Sequence, residues 1–125
     1  MKVGNGIRAR EGAWTFKNAS VARAFDAHVA LSVPEYDTMQ GLVARLSTYF
    51  VRERGVVVDF GCATGRTLVD IYRANPTRRP HLVGVDESAE MCERARARLK
   101  AARVDGEIVT ADFATIRPPR DTCLL

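Results

Sequence analysis

The stretch Val56-Val57-Val58-Asp59-Phe60-Gly61-Cys62-Ala63-Thr64-Gly65 decides the fold. Its opening run of β-branched residues follows Gly55 and is typical of a strand buried on both faces, as in a parallel sheet. An acidic residue and two glycines four positions apart then lead into a helical pattern over residues 65–74. This order of strand, glycine-containing loop and helix predicts the first unit of an α/β fold.

Further strands and helices alternate after this unit. The apolar run His81–Val85 predicts a second strand, and residues 106–111 predict a third. Between them, Ser88 is the predicted N-cap of a helix that ends at Arg103. Strands alternating with helices at this spacing predict a Rossmann-like, doubly wound parallel sheet.

The chain before the first strand divides into two parts. Residues 1–18 carry no periodicity and are predicted to be an irregular N-terminal segment, whereas residues 19–125 form the predicted domain. Helical spacing predicts a helix that starts near Ser20 and is interrupted by Pro34. A second helix is predicted with Asp37 as its N-cap, a stop at Gly55 and an apolar face made of Met39, Leu42, Val43, Leu46 and Phe50.

The predicted sheet looks truncated after three to four strands. The segment 121–125 resembles the opening of a fourth strand and stops inside an apolar run. The fourth strand of a doubly wound sheet lies beside the first, so its loss would leave the run Val56–Val58 with an unpaired edge. We therefore expect the N-terminal part of a domain, and association through this edge and the apolar face of the second helix.

Composition limits the class of protein. The 125 residues suit one domain, and 46% hydrophobic with 27% charged residues is ordinary for a soluble protein, for which a cytoplasmic location is predicted. No apolar run of 18 residues is present, so no membrane contact is expected. A net charge of +4 permits a nucleic-acid partner without requiring one. No metal site is predicted, because the three cysteines and two histidines lack ligand spacing.

The loop from Asp59 to Gly65 is the strongest candidate binding site. Gly61 and Gly65 allow a ligand to approach the backbone closely, and the amides at the start of the next helix can receive a carboxylate. Ala63 stands where a dinucleotide fingerprint has glycine. The Asp59 carboxylate opposes a pyrophosphate but suits an ammonium group, so a methionine moiety fits the loop. An ordinary glycine-containing turn is the alternative.

Two further acidic positions follow the next two strands. Asp86 ends the second strand, where nucleotide-binding sheets place an acid on the ribose hydroxyls, and Glu87 stands beside it. Capping of the following helix is the alternative role of Asp86. Asp112 and Phe113 follow the third strand and could contact an adenine through a carboxylate and an amide. A turn acid and a core aromatic are the alternatives there.

In order and spacing, these residues resemble the cofactor motifs of class I S-adenosylmethionine-dependent methyltransferases. The segments 25–29, 32–36 and 86–91 are similar to the carboxy-S-adenosylmethionine synthase group, which belongs to tRNA wobble-uridine modification, and to its methyltransferase relatives. The resemblance implies S-adenosyl-L-methionine as cofactor and methyl transfer as reaction. It also implies a set of cofactor-binding residues: Tyr36, Asp59, Gly61, Cys62, Ala63, Gly65, Asp86, Glu87, Asp112 and Phe113.

The resemblance leaves the reaction open. The family's fourth to seventh strands have no counterpart, and these carry the substrate-facing residues, so the sequence assigns no catalytic residue and no methyl acceptor. Three functions remain: a methyltransferase acting on a small molecule, a protein or an RNA; an enzyme making carboxy-S-adenosylmethionine; and a non-catalytic module that binds the cofactor. A homo-oligomer is also compatible with the pattern.

Overall fold

The computed structural model describes residues 2–3, 7–8, 19–120 and 122–124. Two short strands, β1 (Lys2–Val3) and β2 (Ile7–Arg8), pair antiparallel inside the segment that was predicted to be irregular. Its other residues lie outside the described part. Helices α1 (Ala19–Ser32) and α2 (Tyr36–Phe50) follow.

A parallel sheet forms the centre of the fold. Its strands are β3 (Val56–Phe60), β4 (His81–Asp86), β5 (Gly106–Thr110) and β6 (Cys123–Leu124), in the order β5-β4-β3-β6. The reversal of order between β3 and β6 is the feature that defines a doubly wound sheet, so the predicted Rossmann-like α/β fold is confirmed.

The two helices between these strands lie on one face of the sheet. They are α3 (Arg66–Ala74) and α4 (Ala89–Ala102). Ser88 caps α4 as predicted, since its hydroxyl accepts from the Met91 amide at 3.2 Å. A short 3-10 helix, Phe113–Thr115, is the only helix described between β5 and β6.

Helix α2 differs at both ends from its prediction. It begins at Tyr36, after Glu35 in a left-handed conformation (φ 57°), and Asp37 therefore lies in the first turn rather than at the N-cap. The Asp37 carboxylate instead pairs with Arg66 at 2.7 Å. The helix ends at Phe50, before Gly55, because Val51 already has extended backbone angles. Helix α1 likewise begins one residue before the predicted N-cap, Ser20.

Strand β6 corrects the expectation about the edge of the first strand. It pairs with β3 through Val57–Cys123 and Val58–Leu124, so the edge predicted to be unpaired has a partner at these two positions. Four of the five residues of the predicted apolar face of α2 are between 47% and 68% exposed: Met39, Leu42, Leu46 and Phe50. The fifth, Val43, instead packs partly buried against the core, and Tyr49 is also exposed, at 81%. Within the described residues, no helix has the length and apolar character needed to cross a membrane.

Gly84 in β4 is the most closely surrounded of the described glycines. A Cβ atom at this position would lie 2.7 Å from Ile108 Cδ1, 2.8 Å from Cys62 Sγ and 2.9 Å from Leu68 Cδ1. The absence of a side chain therefore lets α3, β5 and the loop after β3 meet.

We expect Gly84→Ala to lower the free energy of unfolding by about 1–3 kcal/mol, the usual cost of overpacking a core. Urea denaturation measures the change. Gly41→Ala is the matched control, because nothing lies within 4 Å of its Cβ position in α2. That control should stabilise the protein by about 0.5–1 kcal/mol. Equal stability of Gly84→Ala and the wild type would show that the core absorbs the methyl group.

Candidate functional site

The carboxyl ends of the parallel strands bring the predicted acidic residues to one edge of the sheet. Asp59 lies within β3, Asp86 ends β4, and Asp112 follows β5. Asp59 and Asp86 are close enough for their charges to interact. Glu87 and Asp112 line one shallow cavity of about 330 Å³, together with Thr110 and Ala111. The sequence prediction that these positions share one edge is therefore correct in geometry.

The loop Gly61–Gly65 is held against β4 by its backbone. The amides of Gly61 and Cys62 both donate to the Val85 carbonyl, at 2.8 and 3.0 Å. Gly61 has φ 75°, and no atom lies within 4 Å of the position that a Cβ would take there. The loop thus leaves open space above Gly61, where a ligand can approach the backbone.

Gly65 packs closely against α4. It has φ 76°, and a Cβ there would lie 3.1 Å from the Ala95 Cβ in α4. Glycine at this position therefore serves the packing of the loop against α4. Ala63 also has a left-handed backbone (φ 47°), a conformation that glycine adopts at no steric cost.

Asp59 is a buried carboxylate at the start of the loop. Its residue is 8% exposed, so the carboxylate is largely removed from water. Burial raises the pKa of Asp59 to about 6, and the negative charge of Asp86 adds to the shift. A cation beside this carboxylate would lower its pKa, because the positive charge would offset both the burial and the repulsion from Asp86.

Asp86 holds two backbone segments at once. Its Oδ2 accepts from the Ala63 amide at 2.9 Å, and its Oδ1 accepts from the Ser88 amide at 2.9 Å. The capping alternative is thus present in the geometry, together with a bond to the loop that the sequence did not indicate. A carboxylate offers about four lone-pair sites, so acceptor capacity remains for ligand hydroxyls.

Asp112 and Phe113 lie at the rim of the same edge. Asp112 caps the 3-10 helix, because its Oδ1 accepts from the Ala114 amide at 2.8 Å. The ring of Phe113 is 5.8 Å from that of Phe60, and Phe113 is 56% exposed. The alternative of a core aromatic is therefore wrong for Phe113, whose ring faces the surface beside the site.

Tyr36 and Cys62 complete the predicted set. Tyr36 is half-buried, with the Arg66 guanidinium 5.3 Å from the centre of its ring, and burial raises the pKa of its hydroxyl. Cys62 is buried below the loop, where burial raises the pKa of its thiol strongly. The thiol therefore stays neutral and packs in the core, so only the backbone of Cys62 is available to a ligand.

Two side chains outside the loop, Asp26 and Arg98, also contact it at Thr64. Thr64 donates a hydrogen bond to Asp26 of α1 at 2.6 Å and accepts one from Arg98 of α4 at 3.2 Å. Arg98 also forms an ion pair with Asp26. Asp26 and Arg98 lie 72 positions apart in the sequence, so no local pattern could have indicated the contact.

Comparison with known proteins finds a matching family and curated relatives. Residues 57–124 match the family described as methyltransferase domain. The chain is 40% identical over 80 residues to a carboxy-S-adenosyl-L-methionine synthase of Methylococcus capsulatus, covering 64% of this chain and 33% of the relative. It is 32% identical over 110 residues to the synthase of that name from Erwinia tasmaniensis, covering 86% and 44%. The chain therefore spans less than half the length of these curated relatives.

Solved structures share the fold. A protein from Methanococcus maripaludis, described as an S-adenosyl-L-methionine-dependent methyltransferase, superposes on this chain with a TM-score of 0.64 at 18% identity. The superposition covers 89% of this chain and 48% of that one. An RNA methyltransferase from Salinibacter ruber, solved with S-adenosyl-L-homocysteine, gives a TM-score of 0.54 at 26% identity, over 67% and 53%. The family match covers more than half of the chain. On this evidence, the chain belongs to the methyltransferase domain family, the S-adenosylmethionine-dependent proteins of Rossmann-like fold.

Proposed function

We propose that residues 19–125 bind S-adenosyl-L-methionine for methyl transfer, with the methionine end of the cofactor at Asp59 and the Gly61–Gly65 loop. The single observation that carries the proposal is the buried carboxylate of Asp59. It lies near the negative charge of Asp86, and the nearby Gly61 borders open space. The ammonium group of the methionine moiety supplies a positive charge beside this carboxylate. Tyr36, the first residue of α2, is assigned to the same end of the cofactor.

The rest of the cofactor would follow the edge of the sheet. We assign the ribose hydroxyls to Asp86 and Glu87, because Asp86 keeps acceptor sites beyond its two backbone bonds. We assign the adenine to the shallow cavity beside Asp112, the residue before the exposed Phe113. Cys62, Ala63 and Gly65 would contribute backbone only.

The cofactor supplies an activated methyl group on its sulfonium. The residues of this chain would then hold the methionine and nucleoside ends so that the methyl group faces an acceptor, and positioning of this kind contributes a large part of the rate. Asp59 would fix the amino group as a carboxylate. Asp86 would fix the ribose and, through its bond to the Ala63 amide, the loop beneath the cofactor.

The acceptor is a small molecule, a protein or an RNA. The relative from Salinibacter ruber, an RNA methyltransferase, and the net charge of +4 favour an anionic acceptor such as RNA. A second candidate activity, synthesis of carboxy-S-adenosylmethionine, is favoured by the 40% identity to a protein of that name. Both activities use the same cofactor site.

Two further parts of the proposal concern the surroundings of the protein. The exposed apolar side chains of α2 favour a homo-oligomer formed through that helix. The free thiols of Cys62, Cys92 and Cys123 favour a cytoplasmic location, where cysteines stay reduced.

Calorimetric titration tests the proposed cofactor. We expect S-adenosyl-L-homocysteine to bind at neutral pH, and NAD to compete poorly, because Asp59 would repel its pyrophosphate. Competition by NAD in a titration of the preloaded protein is the comparison to make. Tighter binding of NAD than of S-adenosyl-L-homocysteine would refute the assignment of the loop.

A further inference from the structure

We propose that Asp26, Thr64 and Arg98 form a latch that couples α1 to the Gly61–Gly65 loop, and that Arg98 is a positioning residue for the cofactor. The three side chains belong to α1, to the loop and to α4, and they meet in one cluster. The inference rests on the proposed function for its effect on the cofactor. The coupling of α1 to the loop can be measured without any ligand.

The latch joins its three polar side chains in one network. Thr64 is 2% exposed, and its hydroxyl donates to Asp26 Oδ1 at 2.6 Å while accepting from Arg98 Nη1 at 3.2 Å. The second nitrogen of the guanidinium, Nη2, pairs with Asp26 Oδ2. A single planar fork thus contacts both the acid of α1 and the hydroxyl of the loop, which a lysine ammonium cannot do with the same geometry.

The position of Thr64 explains why this cluster would act on the loop. It lies between two residues with left-handed backbone, Ala63 at φ 47° and Gly65 at φ 76°. Such a conformation persists at a non-glycine residue only where surrounding contacts hold it. Asp86 fixes the Ala63 amide from the strand side, and the latch fixes the next residue from the helix side.

The effect of the latch on α1 depends on where this helix contacts the rest of the fold. Its two buried residues, Val21 and Ala22, belong to the first turn, and Leu31 near its end is 68% exposed. Asp26, in its middle turn, contacts the loop through Thr64 and α4 through Arg98. The charges of Asp26 and Arg98 also reach the Tyr36 hydroxyl, so the latch and the start of α2 are close.

An ion pair whose side chains are each about one third exposed contributes little to stability by itself. Loss of the latch should therefore change the loop and α1 more than the overall stability. By linkage, a ligand that fixes the loop should slow amide exchange in α1, and release of α1 should weaken binding of that ligand.

Four substitutions in the whole chain test the latch by hydrogen exchange and calorimetry. Thr64→Val removes the hydroxyl at nearly constant volume, and Thr64→Ser restores it. Arg98→Met removes the fork, whereas Arg94→Met removes an equal charge from an exposed position of the same helix. We expect Thr64→Val and Arg98→Met to weaken S-adenosyl-L-homocysteine binding about 5- to 20-fold and to speed amide exchange in the second half of α1. Thr64→Ser and Arg94→Met should behave as the wild type.

The outcomes separate the two proposals. Unchanged exchange in α1 of ligand-free Thr64→Val would overturn the latch, whatever happens to binding. Equal effects of Arg98→Met and Arg94→Met would overturn it as well, since charge alone would then explain them. If wild-type protein does not bind S-adenosyl-L-homocysteine, the proposed function fails, and the exchange of α1 in the ligand-free variants still decides the coupling. Should Arg98→Met fail to fold, Arg98→Lys keeps the pair with Asp26 and loses the fork, and it should retain only part of the protection.

Discussion

Replacing Asp59 with Asn is expected to stabilise the ligand-free protein and to weaken cofactor binding. The folded protein holds Asp59 with a pKa of about 6, above the ordinary value of 3.8, because the carboxylate is buried and lies near Asp86. Each pKa unit corresponds to about 1.4 kcal/mol, so the charged form costs the fold up to about 3 kcal/mol. Asn removes this cost, and the free energy of unfolding at pH 8 should rise by a comparable amount.

The pH dependence identifies the cause of the stabilisation. An acid whose pKa is raised by folding lowers stability as the pH rises from the unfolded value, near 4, to the folded value, near 6. The difference between Asp59→Asn and the wild type should therefore vanish below about pH 4 and stay constant above about pH 6–7. Urea denaturation across this range measures it. Asp105→Asn, an exposed acid before β5, is the control for a simple change of net charge.

The same substitution should have the opposite effect on binding. An amide cannot pair with the ammonium group of the cofactor, and the loss of a charge-assisted hydrogen bond costs roughly 1.5–3 kcal/mol. The dissociation constant of S-adenosyl-L-homocysteine should then rise about 10- to 150-fold. Wild-type affinity should fall below pH 6 as Asp59 gains a proton, and the variant should lack this dependence. A stabilised variant that binds as tightly as the wild type would place the ammonium group elsewhere.

Asp86→Ala is expected to damage both the site and the loop. The substitution removes ligand contacts and also leaves the amides of Ala63 and Ser88 without their acceptor. Binding of S-adenosyl-L-homocysteine should weaken by roughly 1.5–3 kcal/mol, and the unpaired amides should lower stability by about 1–3 kcal/mol. Loss of the repulsion from Asp86 offsets part of this cost, because it lowers the pKa of Asp59.

Asp86→Asn separates these effects. Its single carbonyl oxygen can serve only one of the two backbone amides, so its stability should lie between those of Asp86→Ala and the wild type. Calorimetry gives the affinity and urea denaturation the stability. An unchanged dissociation constant in folded Asp86→Ala would mean that Asp86 serves the loop and α4 but not the cofactor.

The apolar face of α2 could be predicted from the sequence. Its apolar residues recur at helical spacing, so the sequence alone predicts which side chains share a face, including Leu42 and Leu46. The ends of the same helix could not be predicted from the sequence. Glu35 takes a left-handed conformation, and Asp37 pairs with Arg66, which lies 29 positions later. This distant ion pair replaces the N-cap role that the local sequence predicted for Asp37.

The sequence by itself determined the order of strands and helices, the Ser88 cap and the sharing of one sheet edge by Asp59, Asp86 and Asp112. These features follow from periodicity, from contacts three or four residues apart, and from the rule that parallel strands end together. Only the tertiary structure decided the chemical state of Asp59, because its raised pKa comes from burial and from Asp86, which belongs to the neighbouring strand.

Contacts between distant segments likewise needed the fold. The close packing around Gly84 depends on the register of β4 against β5, and the meeting of Asp26 with Arg98 joins residues 72 positions apart. A sequence pattern records which residues can form a helix or a strand. It does not record which side chains the crossovers of a parallel sheet bring together, since those distances are set only when the sheet and its helices pack.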